Sequence, residues 1–214
     1  RADALRVADD QHGRGAAGGP VELVHGEEIL ATAAPGRLEL AVPRVTTFDA
    51  ATRISRSFLG FHHHPFPSCF VCGPARRAGD GLRIFPGPWR LGEVVGPWVP
   101  DAGLGAGDGT VRPEHVWAAL DCPGYFAVAR DGRPMLLGQM TARIGRAIRV
   151  GERCVVLGFG LEGEGRRQRV GTAIFGEDGA LCGAAEGIWF EPRPAAQSAA
   201  PSGSSSGTES ACAA

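Results

Sequence analysis

No lysine occurs anywhere in the 214 residues, so every basic side chain apart from histidine is an arginine. The 22 arginines stand against 23 acids, for a formal net charge of −1. They are scattered through the chain, and the basic stripe or patch that marks a nucleic-acid binder is missing. Nucleic acid is therefore not an expected partner. No apolar run approaches the roughly 20 residues that a membrane-spanning helix needs, and no basic-then-apolar signal segment is present, so a membrane is not expected either and the expected location is cytoplasmic. The six cysteines, at 69, 72, 122, 154, 182 and 212, lack the density of a stapled small domain and are expected to stay reduced. The chain opens on Arg1 and not Met, amid strand-like sequence, which suggests a processed or fragmentary start.

Alanine, glycine, arginine and proline abound, which fits a coding bias more than a chemical requirement. Residues 192–214, PRPAAQSAAPSGSSSGTESACAA, are too small and polar to offset the entropy of ordering, and a disordered tail carrying Cys212 is expected there. Ahead of it lie four short β-rich segments, at 135–145, 153–163, 169–179 and 180–191. The turn signals at 150–152 and 177–179 favour antiparallel hairpins between them. Glycine and alanine inside these strands predict a sheet that curves closely around something. The segment 113–129 is the candidate for that something. Pro113 fits a first helical position, and Val116, Trp117, Ala119, Leu120 and Ala127 supply an apolar surface. Pro123-Gly124 should end or kink this helix close to Asp121. One helix followed by antiparallel strands is an α+β layout.

Near the start, VELVHGEEILATAAPGRLEL at 21–40 repeats the outline of TAIFGEDGALCGAAEGIWFE at 172–191: a strand, an acidic glycine turn, and a strand rich in small residues. A connector with one short helix is expected after it.

Three stretches carry a family resemblance: CFVCGPARRAGDGLRI at 69–84, VWAALDCPGYFA at 116–127 and GQMTARIGRAIRVGERCVVLG at 138–158. Over about residues 67–191 the chain resembles the hotdog-fold thioesterase superfamily, in the acyl-CoA thioesterase branch related to phenylacetic-acid degradation and 4-hydroxybenzoyl-CoA thioesterases. The resemblance implies a curved antiparallel sheet wrapped around a central helix, two such units pairing (here as a homodimer), and an acyl-CoA or related thioester as ligand without a cofactor. With the repeat, it implies a truncated double hotdog: 1–45 as the end of a first half, 46–66 as connector, 67–191 as the hotdog domain and 192–214 as tail.

The resemblance places Asp121 at the family's acid position, as general base or nucleophile on the thioester carbonyl. The family's His-Gly-Gly opening is replaced by Arg112, Pro113 and Glu114. A glycine there donates its backbone N–H to the thioester oxygen, and proline has none to give. The backbone amides of Glu114 or His115 are the candidate substitutes, since a helix start leaves several N–H groups free.

Read without the family, Asp121 is either a reactive carboxylate or a helix-end residue touching water. A carboxylate is unfavourable at a helix C-terminus, which counts against the second reading. Glu114 and His115 are acid–base candidates, although Glu is commonplace in a first turn and His115 lies six residues from Asp121, on another helical face. Trp117 either fills the core or walls an acyl pocket, one turn from Asp121. Gln139, Arg143 and Arg146 are candidates for substrate binding, the arginines as forked donors to CoA phosphates, against a plain solubility role.

Cys69-Phe-Val-Cys72-Gly73 has the spacing of half a zinc site. Cys122, Cys154 and Cys182 stand singly in predicted helix or strand, and His62, His63 and His64 splay along one segment. A packing role and no metal are the expectation. The function expected is thioester hydrolysis; the rival is a non-catalytic hotdog module that binds an acyl-CoA or acyl chain, or dimerises. A dehydratase on the same fold is weaker, lacking a convincing histidine and acid pair.

Overall fold

A computed structural model describes residues 6–8, 20–129 and 133–192. The tail from residue 193, with Cys212, lies outside the described residues. The first strands, β1 (Arg6–Ala8), β2 (Val21–His25) and β3 (Glu28–Ala33), form an antiparallel sheet of their own. Gly26, at φ 62°, turns β2 into β3, so the hairpin expected from the repeat is present.

The connector does carry one short α-helix, α1 (Phe48–Ile54). Thr47 caps it by accepting the Ala50 N–H, and Asp49 and Arg53 sit at the ends that the helix dipole favours.

Next comes a hairpin, β4 (Gly87–Arg90) and β5 (Glu93–Trp98), that the periodicity does not reveal. Its glycines and prolines read as loop. Pro97 is tolerated because it lies beyond the reach of β4, whose pairing with β5 covers only Glu93 to Val95.

The helical segment forms, but as two helices, α2 (Pro113–Ala119) and α3 (Cys122–Val128), with Leu120 and Asp121 at the break. Pro123 explains it: with no N–H for the carbonyl four residues back, it cannot extend α2, yet it suits the first turn of a new helix.

The strands β6 (Leu136–Ile144), β7 (Cys154–Gly160), β8 (Arg167–Phe175) and β9 (Leu181–Phe190) complete a six-stranded antiparallel sheet in the order β4-β5-β7-β8-β9-β6. One face packs on α2 and α3 through Val94, Trp98, Val156, Val170, Ile174 and Ala185. On the other face Ala51 of α1 packs with Val95, Val155, Leu157 and Phe159. Covered on both sides, β7 is an almost unbroken apolar run.

A long antiparallel sheet folded around a central helical segment, with β6 returning to the far edge, is the hotdog arrangement, and the class is α+β. The contact between helix and sheet is close. A Cβ on Gly158 of β7 would lie 2.1 Å from the Pro123 carbonyl oxygen, so only glycine lets the kink seat there.

Candidate active site at the helix kink

Asp121 sits in the break, at φ −82° and ψ −81°, in the cap position of α3 without making a capping bond. The residue keeps some exposure, but its Oδ1 is shut away from solvent with no hydrogen-bond partner among the described residues. Burial, aided by negative charge on Cys69, pushes the carboxyl up to about 6. The adjoining start of α3 relieves the dipole penalty that a carboxylate at the end of α2 would carry alone.

Directly after it, Cys122 opens α3 and meets the loop before β4. The sulfurs of Cys69, Cys72 and Cys122 lie within 4.8 Å of one another, with Cys69 and Cys122 in contact at 3.5 Å. His64 Nε2 is 3.3 Å from the Cys72 sulfur, and its Nδ1 accepts the Phe66 N–H at 3.0 Å. Hydrogen bonds from the Cys122 and Cys72 thiols and from the Cys72 and Val71 amides hold the Cys69 thiol far below its ordinary range, despite burial. Cys122 moves the other way: its hydrogen bonds to Cys69 and Cys72, and then its burial, push it up.

Gly73 closes the loop tightly. Its N–H donates to the Cys69 carbonyl at 3.0 Å, and a Cβ there would lie 2.5 Å from Cys69 backbone atoms. The cluster lines a cavity of about 40 Å³ with Tyr125, Met135 and Trp189. That is room for a water or an ion; ligand pockets for larger molecules run to hundreds of Å³.

The remaining candidates lie apart from this cluster. Glu114 and His115 gather at the start of α2 on Arg112, at 3.2 Å and 2.7 Å, and the His115 ring lies 5.8 Å from that of Phe70. Among the described residues neither bonds to Asp121. Trp117 is 40% exposed and does not fill the core. Gln139 and Arg143 are exposed on β6, which lies against α2 at the sheet edge. Arg146 is bound to Glu152 and, at 3.1 Å, to Asp178.

The thiol cluster itself was only half legible. The pair at 69 and 72 and a nearby histidine are readable, but the third thiol comes from a helix start about fifty residues on. A wider groove of about 700 Å³, lined by Arg44, Phe48, Asp49 and Arg153, lies beside α1 on the outer face of the sheet.

No family model and no curated protein sequence matches the chain. Solved structures do. A thioesterase superfamily protein is 21% identical over 51% of this chain and 57% of its own, with a TM-score of 0.48. The E. coli PaaI protein from the phenylacetic acid degradation operon is 11% identical over 49% of this chain and 80% of its own, at 0.46. A hypothetical thioesterase from Streptococcus pneumoniae TIGR4, solved with coenzyme A, is 14% identical over 49% and 82%, at 0.46. The chain spans little more than half the length of the first of these. The hotdog fold is carried by the strand order and the wrapped helices.

Proposed function

We propose that the protein hydrolyses an acyl-CoA or related thioester, with Asp121 as general base or nucleophile. The observation that carries this reading is the Asp121 carboxylate at the helix break, with one oxygen buried and unpartnered among the described residues. Fold maintenance gives no reason to keep such a group, because a carboxyl without a partner costs free energy wherever it is buried. A positioned base that directs water at a carbonyl is worth about 10²- to 10⁴-fold in rate.

The start of α2 supports the second element of the reaction. The Glu114 amide, at the second helical position, has no acceptor within its helix and is the candidate to hold the thioester oxygen. The His115 amide is the weaker candidate, since it already donates to the Arg112 carbonyl at 3.0 Å. Trp117, Gln139 and Arg143, exposed on α2 and the neighbouring edge strand, are the candidates to meet the acyl and nucleotide parts. The same reading takes β1–β3 as the end of a first hotdog unit and the β6 edge as the seam for a second copy.

Pro113 favours a second reading, a hotdog module that binds an acyl-CoA without cleaving it, because its missing N–H is the one the family reaction uses. Thiol release from a panel of acyl-CoAs, run beside calorimetry, separates the two. For the hydrolase, Asp121→Asn is expected to lower kcat by about 10²-fold or more while the fold persists. Full hydrolysis by that variant would sink the assignment, and binding without thiol release by the wild type would select the module.

A further inference from the structure

We propose that Cys69, Cys72 and Cys122, closed by His64, form a tetrahedral zinc site that clamps the loop at 64–73 onto the helix kink. Zinc is the fitting ion because three thiolates and an imidazole are its common structural ligand set, and soft sulfur ligands select it over magnesium or calcium.

The geometry is close to what the ion needs. A zinc–sulfur bond of about 2.3 Å implies sulfur–sulfur separations of about 3.8 Å in a tetrahedron. The three sulfurs already lie within 4.8 Å of one another, one pair at 3.5 Å. The loop has the tight turn of a metal knuckle: the Gly73 N–H donates to the Cys69 carbonyl at 3.0 Å and the Cys69 N–H to that of Phe66 at 2.9 Å, and Gly73 leaves room for the turn.

Ordinary packing does not account for the convergence. Cys154 and Cys182 show what a buried cysteine does here as a small apolar group: each sits in the core on its own strand. The other three come from two separate parts of the chain to one point, with a histidine nitrogen at 3.3 Å and a small cavity beside them.

Of the three thiols His64 touches Cys72 alone, its ring packing beside Phe58 and Phe126, so it stands at the rim of the cluster and moves inward on ligation. Its Nε2 gives up its proton, Nδ1 takes one, and the Phe66 N–H turns from Nδ1 to water at an exposed turn. The thiol protons leave as the metal binds. With four protein ligands the site is closed, which makes it structural; fixing Cys122 fixes the direction of the preceding Asp121.

The test uses the full chain, stripped of metal by a chelator under reducing conditions and then titrated separately with zinc and cobalt(II). One ion per chain is expected, with the intense visible bands of tetrahedral cobalt and thiolate charge-transfer absorption. Cys122→Ser and His64→Ala should each weaken binding about tenfold or more, and Cys212→Ser should change nothing. Substoichiometric uptake, an octahedral cobalt spectrum, or wild-type affinity in either ligand variant overturns the proposal. If a variant fails to fold, the wild-type stoichiometry and cobalt spectrum decide alone. Metal content is read without substrate, so its failure is distinct from a failure of the thioesterase reading.

Discussion

The Thr172 hydroxyl of β8 donates a 2.7 Å hydrogen bond to the Leu120 carbonyl in the break between α2 and α3. In an unbroken helix that carbonyl would receive the N–H of Gly124, which here goes to the Asp121 carbonyl at 3.1 Å. The strand thus supplies the donor that the kink removes, and both partners are buried. Thr172→Val keeps the shape and deletes the donor, so it is expected to cost about 1–3 kcal/mol in urea unfolding. Thr172→Ser, which keeps the hydroxyl, should cost less. Equal stability of the valine variant and wild type would mean that the carbonyl is satisfied in another way.

The kink also depends on two glycines, which should respond differently to alanine. At Gly158 the new Cβ would meet backbone, the Pro123 carbonyl oxygen at 2.1 Å; at Gly124 it would meet a side-chain methyl of Val170 at 2.5 Å. Backbone cannot step aside without moving β7 or α3, so Gly158→Ala should cost at least the roughly 1–3 kcal/mol typical of overpacking. Gly124→Ala should cost less, and adding Val170→Ala should return part of the loss. Denaturation midpoints of the four proteins measure this, and a Gly158→Ala variant as stable as wild type would contradict the close seating of the kink.

What was legible in the sequence followed local patterns. The four C-terminal strands, the hairpin turn at Gly179 and the kink at Pro123-Gly124 were readable because alternation, turn residues and a missing N–H act over a few positions; the turn at Gly151 forms but joins no hairpin, since β6 pairs with β9 at the sheet edge and not with β7. The β4–β5 hairpin was hidden because Gly87, Pro88, Gly96 and Pro97 signal loop, and only pairing, of Gly96 and Pro97 with β7 and of Gly87 and Pro88 with β5, makes strands of them. Asp121 stood out as a lone acid in an apolar run. The meeting of Cys122 with Cys69 and Cys72 was not legible, since it depends on how the kinked helix sits against a distant loop, a tertiary fact with no local signature.

Glu152 should impose a pH dependence on stability. Burial pushes its carboxyl up, but the Arg146 guanidinium and the amides of Arg149, at 3.0 Å, and Glu177, at 3.2 Å, outweigh burial and hold it below the usual range. A folded-state value below the unfolded one contributes stability above the unfolded value of about 4.3 and loses it as pH falls through the folded value. Glu152→Gln should therefore cost about 1–3 kcal/mol at pH 7. The gap to wild type should close in acid, where the carboxyl of the wild type is protonated too. Urea unfolding of both proteins from neutral to acidic pH tests the sign; a gap that widened in acid would contradict the network.

Pro113 offers the sharpest test of the site's chemistry. It occupies the first position of α2, where its fixed φ helps the helix start and its ring leaves no N–H for an incoming oxygen. Pro113→Gly restores that donor at a cost of about 1 kcal/mol in helix stability from the freer backbone. If the start of α2 holds the thioester oxygen with one donor too few, the variant should hydrolyse acyl-CoAs faster. One oxyanion donor is worth up to about 10²- to 10³-fold in kcat, so even partial geometric success should exceed tenfold. The companion Pro113→Ala also restores an N–H with less backbone freedom and should show the same gain. Activity unchanged in both variants would place the oxygen away from the first turn of α2, and a gain that persisted in the double variants with Asp121→Asn would remove Asp121 from the reaction.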